Sequence, residues 1–134
     1  MLAVNNVGSS HTMPVYFYET PKKEMSDIIA ININGNLRIT YSILPGMIKR
    51  YGRQGILLIC TQTNCFISKR GVILNIGSFA GSVPSPMLAT YTGTKAFLST
   101  FTSALAEEVK SHNIIVEHVN TYFVVRVQVI STFI

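Results

Sequence analysis

Two rhythms of apolar positions run along the chain: short stretches of consecutive apolar residues, and longer segments in which apolar residues return every three or four positions. The first reads as buried strand and the second as helix packed on a sheet. A short strand is predicted at Leu2 to Asn5, followed by a polar loop containing His11 and Pro14. A helix follows from about Thr20-Pro21 to Lys49, with Ile28, Ile31, Leu37, Ile39, Ile43 and Leu44 as its apolar positions. Thr20, Pro21 at the first turn and Glu24 form its start signal, and Gly35 should loosen it. The run Gly71-Val72-Ile73-Leu74-Asn75-Ile76-Gly77 reads as a buried parallel strand from Val72 to Ile76. After a loop from Ser78 to Pro86, a second helix carries Tyr91 and runs to about His112, and a last strand spans Ile114 to Asn120. Strand-helix alternation of this kind specifies an α/β fold with a parallel sheet and right-handed crossovers.

Composition narrows the function only a little. At 134 residues the chain can build one modest domain. Its net charge of +5 is scattered over pairs such as Lys22 and Lys23, Lys49 and Arg50, Lys69 and Arg70. Nothing interleaves a basic cluster with aromatics, so nucleic acid is not an expected partner. His11, His112 and His118 are too dispersed for a metal site, and Cys60 and Cys65 lack the further partners that zinc requires. They read as ordinary apolar thiols. No run of about 20 apolar residues is present to span a bilayer.

The chemistry lies in three side chains. Tyr91 and Lys95 are four residues apart, so on a helix the phenol and the ammonium share one face. A free tyrosine titrates near pH ~10, and a cation held beside a phenol favours its phenolate. Ser78 ends the buried strand, and the carboxyl end of such a strand is where open α/β sheets place their ligands. Its hydroxyl is placed to hydrogen-bond a substrate oxygen. Together the three can protonate a carbonyl; a Tyr-x-x-x-Lys pair by itself occurs by chance on many helices.

Ser78 followed thirteen residues later by Tyr91, with Lys95 after it, resembles the catalytic Ser, Tyr and Lys of the short-chain dehydrogenase/reductase family. Val4-Asn5-Asn6-Val7-Gly8 resembles the family's Asn-Asn-Ala-Gly segment beside the cofactor, with Val7 in place of Ala. The residues agree with that placement, since glycine lets backbone approach a ligand and asparagine amides can tie strands together. Ile31-Asn32-Ile33-Asn34-Gly35 resembles the helix bearing the family's catalytic asparagine; Asn32 is the aligned candidate, with Asn34 and Asn36 as rivals. Within the family the segment from Ile73 to Glu108, including the Pro84-x-Pro86 loop and Leu88-Ala89-Thr90, is most like the very-long-chain 3-oxoacyl-CoA reductases and their 17β-hydroxysteroid dehydrogenase relatives.

The resemblance implies a Rossmann-like, doubly wound sheet and reduction of a long-chain 3-oxoacyl-CoA by NADPH in fatty-acid elongation. Tyr91 would donate the proton, Ser78 would hydrogen-bond the oxygen, and Lys95 would bind the nicotinamide ribose. Asn32 would hold a water in the relay that reprotonates the tyrosine, and Asn5 and Gly8 would lie beside the cofactor. It also implies attachment to the endoplasmic reticulum membrane, association with an elongation complex, and a homodimer through the Tyr91 helix. The stripe Phe97, Phe101, Ala104 and Leu105 would then serve the interface, although core packing explains such a stripe equally well.

The sequence departs from the family in three places. No Gly-x-x-x-Gly-x-Gly or Gly-x-Gly-x-x-Gly occurs, so no cradle for the cofactor pyrophosphate is present. Residues 51–68, with the run Ile56 to Cys60, read as an atypical insertion, and residues 126–134 as an unrelated tail. The expectation is a partial catalytic domain over 1–125, lacking the N-terminal strands and the C-terminal end, and inactive alone. A steroid or other carbonyl oxidoreductase and a non-catalytic remnant are the alternatives.

Overall fold

The computed structural model describes residues 1–51 and 71–122. Three strands form one parallel sheet in the order β1 (Leu2–Asn5), β2 (Gly71–Ile76), β3 (Ile114–Val119). Ala3 lies opposite Ile73 and Asn5 opposite Asn75, while Ile73 lies opposite Val116 on the other side. Parallel neighbours need a long crossover, and helices supply it. The first crossover contains α1 (Lys22–Ile29), a wide π-helical stretch over Ala30–Gly35, and α2 (Asn36–Tyr51). The second contains α3 (Ala89–Val109), ended by a 3-10 turn at Lys110–His112.

Alternate residues of β2 are fully buried, namely Gly71, Ile73 and Asn75. Ile73 joins Met47 of α2, Leu105 and Val109 of α3, and Ile114 and Val116 of β3 in one apolar cluster. Burying a side chain the size of Ile73 stabilises the fold by roughly 2 kcal/mol. Because that cluster draws on both α2 and α3, the two helices cover the same face of the sheet. Leu2 and Val4 on the opposite side of β1 remain 62% and 51% exposed. Such a face suits a sheet covered on both sides, and the arrangement is three strands of a Rossmann-like α/β fold.

A polar ladder crosses the core above the apolar cluster. The Asn5 amide donates to Asn75 Oδ1 at 2.8 Å and to Thr40 Oγ1 at 3.3 Å. The Asn75 amide in turn donates to Thr102 Oγ1 at 2.9 Å, tying β1, β2, α2 and α3 together. Buried amides tolerate this position because each has its partners.

Several expectations change in detail. The long helix is not continuous α-helix, because the π stretch adds a residue in one turn. Thr20 does not cap it; its hydroxyl donates back to Tyr16 O at 3.2 Å, and α1 starts after Pro21. Glu24 reaches out to accept from the Thr12 backbone N–H at 2.7 Å. Pro45 sits inside α2, where it and Tyr41, whose carbonyl loses a partner, are both exposed. On α3 the buried row is Leu98, Thr102, Leu105 and Val109, so only Leu105 of the expected stripe belongs to it. Phe97 and Phe101 stack at 5.8 Å and Ala104 is exposed. The expected insertion, apart from Tyr51, and the tail at 126–134 lie outside the described residues.

Candidate active site

Ser78 follows the last residues of β2 and is held in extended backbone by the start of a 3-10 turn at Phe79–Gly81. Its Oγ accepts from the Ala80 backbone N–H at 3.3 Å. That bond uses an oxygen lone pair and leaves the hydroxyl hydrogen free to donate to a substrate oxygen. Beyond β2 the pairing with β3 continues: Gly77 N–H donates to Val119 O at 2.9 Å and Phe79 N–H to Thr121 O at 3.0 Å. Ser78 is therefore gripped between two backbone bonds.

Gly81 brings α3 close, since a Cβ there would lie 2.7 Å from the Lys95 carbonyl carbon. Tyr91 occupies the first turn of α3 and is partly buried. One turn later Lys95 is only 7% exposed, and its Nζ lies 5.8 Å from the centre of the Tyr91 ring. This distance falls within the reach of a cation–π contact. Nζ donates to Ile76 O at 3.2 Å, two residues before Ser78. Burial pushes the Lys95 pKa below its usual 10.5. The spacing of Tyr91 and Lys95 therefore delivers what the sequence predicts, a phenol and an ammonium on one helix face.

Asn32 reaches the same place from the π-helical stretch. It is 2% exposed and forms a two-way pair with the Ser9 backbone, accepting from Ser9 N–H at 2.7 Å and donating to Ser9 O at 2.9 Å. The remaining amide hydrogen donates to Thr94 Oγ1 at 2.9 Å, and that hydroxyl donates to Tyr91 O at 2.7 Å. Asn32 lies four residues after the buried Ile28 and four before the buried Asn36, on the inward row of this crossover. Of the rivals, Asn34 is exposed, whereas Asn36 donates to the Asn32 carbonyl at 2.6 Å. Gly8 completes the cluster: a Cβ added to it would lie 3.3 Å from Lys95 Nζ and 3.5 Å from Asn32 Oδ1.

The structure thus brings Gly8, Asn32, Tyr91 and Lys95 together, with Ser78 linked to them through Ile76 and Gly81. Asn5 lies in the core ladder, its amide already committed to Asn75 and Thr40. An open groove of about 610 Å³ between the Pro84-x-Pro86 loop and Gly93 is lined by neither Tyr91 nor Lys95. The model of the short chain dehydrogenase family matches residues 1–130. The chain belongs to the short-chain dehydrogenase family. A very-long-chain 3-oxoacyl-CoA reductase of Laccaria bicolor is 60% identical over 122 residues, covering 91% of this chain and 31% of that protein. A protein of the same description from Coprinopsis cinerea is 62% identical with the same coverage. The chain spans about a third of the length of these curated relatives.

Among solved structures, the 3-ketoacyl-(acyl-carrier-protein) reductase of Brucella melitensis complexed with NADH superposes with a TM-score of 0.76 at 28% identity. That likeness covers 90% of this chain and 44% of the Brucella protein. For a short-chain dehydrogenase, one residue of this site escapes a motif search. Thr94 stands inside the Tyr-x-x-x-Lys spacing, and its importance rests on Asn32, which is 62 residues away. Asn75 is a polar residue in an apolar strand, which is a sequence signal, and it serves the core rather than the reaction.

Proposed function

We propose that this chain carries the proton-transfer half of an NADPH-dependent carbonyl reductase acting on a long-chain 3-oxoacyl-CoA. The supporting observation is the convergence of Tyr91, Lys95, Asn32 and Gly8, with Ser78 at the adjoining strand end, in a chain similar to very-long-chain 3-oxoacyl-CoA reductases. The residues present fit the nicotinamide end of such a cofactor. Gly8 leaves room that a Cβ would take beside Lys95 Nζ, and the ammonium, bonded to Ile76 O, keeps hydrogens for ribose hydroxyls. Asn5, under the same segment, fixes the strand end from which Gly8 is presented.

The cofactor, when bound, supplies a hydride. Tyr91 gives its proton to the substrate oxygen as negative charge develops there, and the Ser78 O–H donates to the same oxygen. Lys95, beside the ring, stabilises the phenolate left behind, as does the start of α3 at its positive end. Asn32 holds the Ser9 backbone and, through Thr94, the Tyr91 carbonyl; its own carbonyl, taking one bond from Asn36, has a second lone pair for a relay water.

The catalytic unit in this reading runs over 1–125 with 51–68 as an insertion. The cofactor pyrophosphate site, absent as a motif from these 134 residues, leaves activity of the chain alone unexpected. Endoplasmic reticulum localisation, an elongation complex and a homodimer over Phe97, Phe101 and Ala104 belong to the same proposal; among the described residues no helix is long and apolar enough to cross a membrane. A steroid substrate is the competing reading within the same chemistry.

Tyr91→Phe in the full-length protein tests it. Turnover of a long-chain 3-oxoacyl-CoA should fall by about 10²- to 10⁴-fold, while NADPH binding measured by fluorescence titration persists. Undiminished turnover would remove Tyr91 from the mechanism.

A further inference from the structure

His118, on β3, belongs to no step described above. It lies on the face of the sheet that α3 covers, and its Nε2 is sealed from solvent without a hydrogen-bond partner. That nitrogen is aimed at Gly77: a Cβ built there falls on Nε2, 2.5 Å from Cε1 and 2.8 Å from Asn120 Oδ1. Gly77 is also the residue immediately before Ser78, fixed on its other sides by its bond to Val119 O and by Thr121 Oγ1, which donates to Gly77 O at 3.2 Å.

A nitrogen set against a Cα–H is comfortable only with its lone pair forward, as a weak C–H···N contact. A proton on Nε2 would meet the glycine hydrogen and find no acceptor. The charged groups around the ring argue the same way. From α3 it is approached by Lys95, whose charge together with burial lowers the His118 pKa; burial is the larger cause. β2 presents the neutral Gly77 and Asn75, Glu117 of β3 points to the opposite face, and Lys49 and Arg50 of α2 are exposed. We propose that His118 is a positioning residue for Ser78: its neutral imidazole, protonated on Nδ1 and seated on Gly77, fixes the strand end from which the Ser78 hydroxyl is presented. The role assigned to Ser78 rests on the carbonyl-reductase reading.

Long-range ¹H–¹⁵N NMR of the labelled 134-residue chain between about pH 5 and pH 8 reads the ring directly. His118 should show a bare Nε2 and a titration midpoint below 6.5. An Nε2–H ring, or a midpoint no lower than that of an exposed histidine, overturns the proposal. Gly77→Ala should expel the ring, so that His118 titrates as an exposed histidine and the Ser78 amide resonance shifts. Adding His118→Ala to it should return that resonance toward its wild-type position. His118→Ala alone, which adds no clash, should also shift the Ser78 amide. A Ser78 amide indifferent to both single changes, or not recovered in the pair, overturns the proposal. None of these signals needs turnover, so they are read independently of the Tyr91→Phe test in the full-length protein, whose failure would refute the functional reading alone.

Discussion

Lys95 holds an ammonium in a site where no carboxylate among the described residues pairs with it. The backbone carbonyl of Ile76 and the face of Tyr91 are its partners. In the unfolded chain it keeps its proton up to 10.5, whereas burial makes it release the proton sooner in the fold. Between those two values the unfolded state binds more protons, so stability rises with pH across that window and is lower below it. A buried ion kept for chemistry costs stability. Lys95→Met should therefore raise the thermal midpoint near neutral pH while abolishing reduction, with calorimetry and turnover checking the two halves. An unchanged or lowered midpoint would mean that the Ile76 bond outweighs the desolvation. Tyr91 and Lys95 were legible in the sequence because both sit on one helix, where spacing alone sets direction. The contact from Thr94 to Asn32 was not, since no local period relates residues so far apart.

Helices show the same division. The boundaries of the long first helix follow from its apolar positions, but a period of 3.6 cannot reveal one extra residue in a turn. Gly35 signalled a weak point without saying what form it takes. On α3 the three- and four-residue spacing marks Phe97 and Phe101, while the buried row passes through Thr102, a polar residue made compatible with the core by its bonds to Asn75 and to Leu98 O. The far end of α3 is stopped by Asn113 at φ 58°, in the left-handed region, with its N–H donating to Lys110 O at 3.4 Å. Asn is among the few residues that enter this region readily. Asn113→Gly should leave stability within about 0.5 kcal/mol, whereas Asn113→Val should cost about 1–2 kcal/mol, as urea unfolding would show. Equal effects of the two would assign the cap to side-chain contacts instead.

Across the whole molecule, the sheet and its helices are joined by the apolar cluster around Ile73 and, above it, by the ladder from Thr40 through Asn5 and Asn75 to Thr102. Asn75→Leu should destabilise the chain by about 1–3 kcal/mol, because it takes one acceptor from the buried Asn5 amide, which keeps only Thr40, and one donor from the Thr102 hydroxyl, which keeps only Leu98 O. Chemical denaturation measures that cost, and a variant as stable as the wild type would show that the neighbours find other bonds. The same ladder has a bearing on how the chain assembles. Val, Ile and Leu repeat along β2 so evenly that apolar contact alone hardly distinguishes one alignment of β1 from another two residues away. Sliding Asn5 by two places would set it against Ile73 or Gly77, stranding an amide on either side of the strand pair. Two asparagines thus act as a proofreading mark, admitting the one alignment in which the glycine loop after β1 arrives beside Lys95.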